Sequence, residues 1–412
     1  MVAQVALRAV SVYEGFFSGG ARVLHSTVVA GLHQDGQRHA ALSIHEEVLR
    51  ESLRQRMVDD PRYRMLVAAG VPVTTLGRVP DGGHDPRTFT DTEMAVAARA
   101  VEGADVVLTL KEQPLRLVNH AGFPDRPVVA CLHRSDPEHQ GPALDDLLAA
   151  AASGRLAAAV CCAESTREAY AAAGVPRRLL RVVPNGVDLA RFAPVSAARR
   201  AALRGAFRTE QDGVVVAFSA RYDTMKDVGL FLRAARVLLG ADPRAHVLAC
   251  GAGMSTANPA LVADLGVAFG DRPDLLGRLH LLGVRHDMES VYAAADVVAL
   301  TSAFGEAAPL CLIEGAMSGA VPVTTDVGDC ASLVDGIGLV VGRDPAEVAA
   351  AWAQAAARRD GLARALETSR PRFSRTRMTS AYALLLESVV ARQGRRSATA
   401  RSRAAVRATM ET

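Results

Sequence analysis

Short apolar runs recur along this chain, each followed by turn-forming residues and then by a stretch with helical spacing. The runs at residues 5–12, 40–44, 105–110, 127–132 and 157–162 are candidate strands separated by helix-compatible stretches. Strand, turn, helix, strand, repeated in this way, predicts a parallel sheet wrapped by helices. At residues 183–195 the pattern gives way to a segment dense in turn formers and bounded by Pro184 and Pro194. It then resumes, with runs at 214–219, 246–250, 279–282, 296–301 and 321–325, short and without polar–apolar alternation as suits strands covered on both faces, and a helix over 309–318. A single core stops growing at roughly 250–300 residues, so a chain of 412 residues is expected to divide at that junction. The expected architecture is α/β, with two doubly wound domains over residues 1–183 and 184–366. A last helix follows over 367–391, then an Arg-rich flexible tail over 392–412.

Charge and cysteine usage narrow the function classes. Lys and Arg total 47 against 44 Asp and Glu, a balance too even for a protein that coats nucleic acid, so no nucleic-acid partner is expected. Six cysteines lie in or beside apolar runs with no Cys-x-x-Cys pair, as expected for buried thiols in a reducing compartment. Cytoplasmic placement is the expectation. The opening residues carry no basic segment ahead of an apolar one, and the most apolar stretch, 147–163, is broken by Ser153, Gly154 and Arg155. Neither a signal peptide nor a membrane span is expected. The tail carries Arg392, Arg395, Arg396, Arg401, Arg403 and Arg407. It reads as a solubilising terminus, with weak peripheral attraction to an anionic membrane as the other reading.

In facing α/β domains, ligands bind outside the carboxyl ends of the strands. The most informative segment there is 301–328, where Glu306 and Glu314 are separated by seven residues, the first in a loop and the second one turn into a helix. Pro309 suits the first helical turn. Backbone N–H groups near Leu310 and Cys311 would then be free to hold a phosphate, with carboxylates on either side to accept hydroxyls of a sugar and a ribose. Arg221 and Lys226 lie between a strand and a helix. As two cations at the crevice they would stabilise charge gathering on a departing diphosphate. Only two lysines occur, Lys111 and Lys226, among 47 basic residues. A compact ammonium is therefore expected to matter at Lys226, while Lys111 stands at a strand end with no supporting motif. Gly19-Gly20 and Gly251-Ala252-Gly253 permit close approach of a phosphate, or are plain tight turns. Neither a full Gly-x-Gly-x-x-Gly opening nor Gly-x-x-x-x-Gly-Lys is present, which counts against dinucleotide oxidoreductases and P-loop enzymes. No Asp-x-Asp follows a strand and no ligand-spaced His/Asp cluster occurs, so no metal is expected. His133 follows the 127–132 run and should face the crevice, either as a structural imidazole or orienting a sugar or acceptor.

With these motifs the sequence resembles glycosyltransferase family 4, nucleotide-sugar enzymes with two Rossmann-like domains facing a cleft, the GT-B fold. The likeness runs from Gly19-Gly20 through residues 184–188 and 282–287 to the last long helix, densest over 183–342. It implies that Glu306 and Glu314 contact the donor sugar and ribose, that Arg221 and Lys226 bind the diphosphate, and that Gly19 and Gly20 approach the phosphates. It also implies that His133 lies near the transferred sugar, that Arg285 lies near the base, and that the last helix crosses back onto the first domain. The implied activity is a retaining, metal-independent transfer from an NDP-sugar, UDP- or GDP-linked, with no further cofactor. The acceptor would be a hydroxyl compound: a cell-envelope or exopolysaccharide glycan, a lipid-linked sugar, or a small natural-product aglycone. An NDP-sugar epimerase or a noncatalytic nucleotide-sugar sensor are the other readings. Two departures bear on the acceptor and sugar-hydroxyl contacts. Ala21 and Arg22 stand where the family often has Glu after the glycines, and Ser332 replaces an expected Glu.

Overall fold

The computed structural model describes residues 6–50, 53–83, 85–86 and 88–410. Residues 1–5, on which the absence of a leader was read, and 411–412 at the end of the tail lie outside the described residues. In the first domain the strands are β1 (Arg8–Tyr13), β2 (Arg38–His45), β3 (Glu47–Arg50), β4 (Leu53–Arg56), β5 (Val73–Arg78), β6 (Val106–Leu110), β7 (Val128–Leu132), β8 (Leu156–Cys161) and β9 (Leu180–Val182). The second domain contributes β10 (Val215–Ser219), β11 (His246–Cys250), β12 (Leu279–Gly283), β13 (Val297–Leu300), β14 (Val321–Thr325) and β15 (Leu339–Val341). Among the helices, those that shape the site are α1 (Gly20–Gln34), α2 (Glu164–Ala172), α3 (Val228–Ala241), α4 (Leu310–Met317) and α5 (Arg375–Met410).

The first sheet has the order β5-β2-β1-β6-β7-β8-β9 and the second β12-β11-β10-β13-β14-β15. Within each sheet every pairing is parallel. Helices cover both faces, and the central strands β6, β7, β11 and β14 are buried along their whole length, which is why their sequences are unbroken apolar runs. The strand order reverses direction between β1 and β6 in one domain and between β10 and β13 in the other. Those two points are where an open α/β sheet leaves a crevice at its carboxyl edge. β3 and β4 form a separate antiparallel hairpin, a feature the helix-compatible composition of 46–60 did not announce.

The chain crosses between the domains twice, and the two crossings lie side by side. Val187 N donates to Phe373 O at 2.8 Å and Arg375 N to Val187 O at 2.9 Å. Arg377 Nη2 donates to Pro184 O at 2.6 Å and Asn185 O at 3.0 Å. From there α5 returns to the first domain, burying Met378, Tyr382, Leu386 and Val389 with Leu24, Val28 and Leu32 of α1. The backbone of α5 stays helical to Met410, so the segment expected as a flexible tail from residue 392 continues the helix. The tail arginines from Arg396 onward lie outside the described side chains. Among the described residues, no helix is long and apolar enough to cross a membrane. All six cysteines are free thiols, five buried and Cys311 half-buried.

Candidate active site

The second domain's switch point is built from the loops that follow β10 and β13. After β10 the chain makes one short turn, with Asp223 capping it by accepting from Met225 N at 2.9 Å. Asp227, in the left-handed region at φ 45°, then caps α3 by accepting from Leu230 N at 3.0 Å. That turn is fastened to the end of β13: Thr301 Oγ1 donates to Lys226 O at 2.9 Å and Ala303 N to Met225 O at 2.8 Å. Such anchoring fixes where the Lys226 ammonium can reach. Lys226 Nζ forms an ion pair with Glu306 Oε1, and both side chains are largely buried. Ser302 Oγ donates to the same carboxylate oxygen at 2.6 Å and is itself positioned by Thr325, which donates to Ser302 O at 2.6 Å. Glu306 is thus held by a cation and a hydroxyl on a rigid strand end.

α4 begins directly behind this pair. Its first residue follows Pro309, no side chain caps it and no acidic residue lies in its first turn. Its N–H groups at Leu310 and Cys311 are therefore available to an anion, with the helix dipole adding positive potential. Cys311 lies close enough to Lys226, Glu306 and Glu314 for all three charges to act on its thiol, which places the expected residues in one cluster. Burial pushes the Glu314 carboxyl up to about 7, an effect partly offset by the nearby Arg191 cation. The buried hydroxyl of Tyr292 lies beside it and also favours its charged form.

The first domain supplies the opposite wall. Gly20 faces Leu310 across the cleft, where a Cβ at residue 20 would lie 3.7 Å from Leu310 Cδ1. Gly19, the N-cap of α1, accepts from Arg22 N at 3.1 Å and from Val23 N at 3.2 Å. His133 lies at the end of β7 with a buried Nε2 that has no partner. Burial drives its pKa down to about 3, and His25, Lys111 and Arg22 push the same way. A neutral imidazole there can exchange hydrogen bonds with a hydroxyl but does not serve as a proton store at neutral pH. The domains touch directly around this space. Ser135 Oγ donates to Glu306 O, and His139 stacks on Phe304 with centroids 5.8 Å apart.

Other expected residues are placed differently. Arg221 is exposed and pairs with Asp223 Oδ2 at 2.9 Å. Among the described residues no contact joins it to Glu306 or Glu314. Arg285 pairs with Asp287 Oδ2 at 2.6 Å and lies 5.6 Å over the Phe207 ring. Gly251 and Gly253 have a packing reason to be glycine: at φ 137° and 74° they lay their turn against residues 220–222, where a side chain would collide with backbone or with Tyr222 Cβ. Two first-domain residues were missed. Arg22, standing where an acid was expected, is buried and reaches back to Gly15 O at 2.9 Å and Glu14 Oε2 at 3.0 Å, with Phe17 beneath its guanidinium. Lys111 sits at the β6 end of the first switch point, a placement only the strand order reveals.

The model for Glycosyltransferase Family 4 matches residues 19–191 and that for Glycosyl transferases group 1 matches residues 213–358, which together take in both crevice walls. This chain belongs to glycosyltransferase family 4. Its curated relatives include the D-inositol 3-phosphate glycosyltransferases of Geodermatophilus obscurus and Saccharomonospora viridis. The first is 35% identical over 233 residues, 52% of this chain and 49% of that protein. The second is 36% identical over 217 residues, 49% of this chain and 48% of that protein. This family 4 chain thus spans about half the length of the curated relatives it matches. Among solved structures, Anabaena Alr3699/HepE in complex with UDP and glucose superposes with a TM-score of 0.74 at 19% identity, covering 93% of this chain and 100% of that one. A glycosyltransferase from Rickettsia africae gives a TM-score of 0.71 at 12% identity, covering 94% and 99%. The likeness to both is one of fold, and that fold is GT-B. Among the described residues, no group of three or more His, Cys, Asp or Glu could hold a metal ion.

Proposed function

We propose that this family 4 chain moves a hexosyl group from an NDP-sugar to a hydroxyl acceptor with retention of configuration and without a metal. The observation that carries the reading is the Lys226–Glu306 pair at the β10/β13 switch point, set against the uncapped start of α4 and backed by Glu314. The donor's diphosphate would lie on the α4 N–H groups and Lys226, its ribose hydroxyls on Glu314 and its sugar on Glu306. As the bond between the anomeric carbon and the β-phosphate oxygen breaks, negative charge gathers on that phosphate, where Lys226 is worth more than in the ground state. The acceptor oxygen bonds to the anomeric carbon on the same face, and its proton passes to the departing phosphate. Glu306 stabilises the oxocarbenium-like sugar, and neutral His133 holds a sugar hydroxyl from the first-domain side.

UDP is the favoured nucleotide because HepE, of the same fold, is solved with UDP and with UDP-glucose. For the acceptor, a cell-envelope or exopolysaccharide glycan is the first reading and a small aglycone the second. The relatives' action on D-inositol 3-phosphate keeps a small polyol in view. The test is a thermal-shift screen of UDP- and GDP-sugars, followed by mass spectrometry of product with candidate acceptors. Lys226→Ala is expected to lower kcat by ~10²–10³-fold, the usual effect of removing one preorganised donor. Undiminished turnover in that variant would reject the site. Incubation with donor alone separates an epimerase, which would convert the sugar with no acceptor present.

A further inference from the structure

The two lysines of the chain lie one at each domain's switch point, on strands that do not correspond. Lys226 follows the central strand β10 at the second switch point, and Lys111 follows β6, next to the central strand β1, at the first. Lys111 is held there deliberately: its backbone is in the left-handed region at φ 64°, unusual for a side chain of this length. Its N–H donates to Cys131 O at 2.9 Å, and its carbonyl accepts from Thr109 Oγ1 at 2.9 Å. The surrounding charges are otherwise matched. Arg22 pairs with Glu14 at 3.0 Å, Arg134 clasps Asp136 at 2.6 and 2.5 Å, and Glu112 takes the Tyr170 hydroxyl. Among the described residues no carboxylate lies within ion-pair distance of the half-buried Lys111 ammonium: Arg22 and Arg134 act against its charge, while Glu112 and Glu14 favour it from farther off and are themselves engaged by Tyr170 and Arg22. Beside it stands the buried, unpartnered Nε2 of His133. A cation with no direct ion-pair partner beside an unsatisfied imidazole nitrogen leaves room for an anion the chain itself does not supply.

We propose that Lys111 anchors an anionic substituent, phosphate or carboxylate, on the acceptor, so that the first domain selects charged over neutral hydroxyl compounds. The inference rests on the donor reading above, because that reading gives the diphosphate its own cation and helix terminus in the second domain and leaves Lys111 for the other substrate. An anion bound at Lys111 would place a neighbouring hydroxyl of the same molecule toward His133 and the donor sugar. This makes Lys111 a specificity-determining residue for the acceptor.

The experiment titrates inorganic phosphate, and separately acetate, into the full chain with and without saturating UDP, for the wild type, Lys111→Met and Lys111→Arg. The wild type saturated with UDP should bind one of the two anions. Lys111→Met should weaken that binding by roughly 10–100-fold, the loss expected for one hydrogen bond to a charged group, and Lys111→Arg should restore part of it. UDP affinity should stay the same in all three proteins. In transfer assays the KM for glycerol 3-phosphate should rise in Lys111→Met while that for glycerol does not. Equal anion affinity in wild type and Lys111→Met, or no anion binding to the UDP-saturated wild type, overturns the proposal. If UDP fails to bind but anion binding still depends on Lys111, it is the donor reading that falls while the anion site stands.

Discussion

Glu314 is an acid whose folded pKa, about 7, lies above its ordinary value of 4.5 because burial disfavours the charge. The sign follows from proton linkage: the folded state holds this proton more tightly than the unfolded state, so the stability it contributes is complete below about 4.5 and is lost as pH rises through about 7. At pH 8 the carboxylate is a liability to folding and an asset to binding, since only the ionised form accepts two ribose hydroxyls without competing as a donor. Glu314→Gln should therefore melt higher than the wild type at pH 8, by on the order of 2 °C, with the difference vanishing near pH 4. UDP affinity should fall ~10-fold or more for want of a charge-assisted contact. Calorimetric scans at the two pH values and a UDP titration check both halves; a variant that is less stable at pH 8 would contradict the burial argument. Glu306 and Glu314 were legible in the sequence because their spacing on one strand–loop–helix unit puts them together whatever the rest of the chain does, and Lys226 stood out as one of two lysines, although its pairing with Glu306 comes from the adjacency of β10 and β13. Lys111 was not, because its neighbours Cys131 and His133 come from another strand and only the strand order assembles them; Arg22 was not, because it folds back onto its own loop at Glu14 and Gly15 where no motif announces it.

At the scale of elements, the apolar runs located the central strands to within three residues, since strands buried on both faces leave little room for polar side chains. The edge strands β5, β9 and β15 escaped for the same reason in reverse, while β12 was located. β5 is only partly buried along most of its length, and β9 and β15 are three-residue edge strands. The β3–β4 hairpin is composed of Glu, Arg, Leu and Gln, good helix formers, with Val48 the one β-branched residue, yet cross-strand pairing sets Glu47 opposite Arg56 and joins Arg54 Nη1 to Glu47 Oε2 at 3.0 Å. Tertiary context overrides propensity there. The helix that carries Glu314 shows the opposite case, in which one small residue sets its position. Gly315 packs so closely on β13 that a Cβ would lie 2.5 Å from Val298 Cβ and Cγ1. Gly315→Ala must push α4 off the sheet or distort both, at a cost of about 1–3 kcal/mol. Because the Leu310 and Cys311 N–H groups move with the helix, UDP binding should weaken along with the lowered denaturation midpoint. A variant with unchanged midpoint and unchanged UDP affinity would show that α4 does not set the geometry of the anion site.

Across the whole molecule, the cleft is held by contacts that no local reading of the chain predicts, since their partners are more than a hundred residues apart. α2 begins after Ala163 without a side-chain cap of its own. The cap comes from the other domain: Asp329 Oδ2 accepts from Glu164 N and Oδ1 from Ser165 N, each at 2.8 Å. A carboxylate on two free N–H groups at a helix start gains from both the hydrogen bonds and the dipole. It joins the domains on the same side as the Ser135–Glu306 contact, while Asn185 Nδ2, donating to Ala308 O at 2.7 Å, ties the crossing segment to the loop ahead of α4. The Lys226–Glu306 pair lies in the second domain alone, so loosening the domains leaves the donor wall intact but moves His133 and Lys111 away from it. Asp329→Ala removes both cross-domain hydrogen bonds, and at about 1–2 kcal/mol for a lost charged cap should shift the domains toward an open arrangement. Small-angle scattering should then give a larger radius of gyration, and kcat should fall roughly 5–30-fold with UDP affinity nearly unchanged. If kcat falls with no change in scattering, Asp329 acts at the site itself rather than as a latch between the domains.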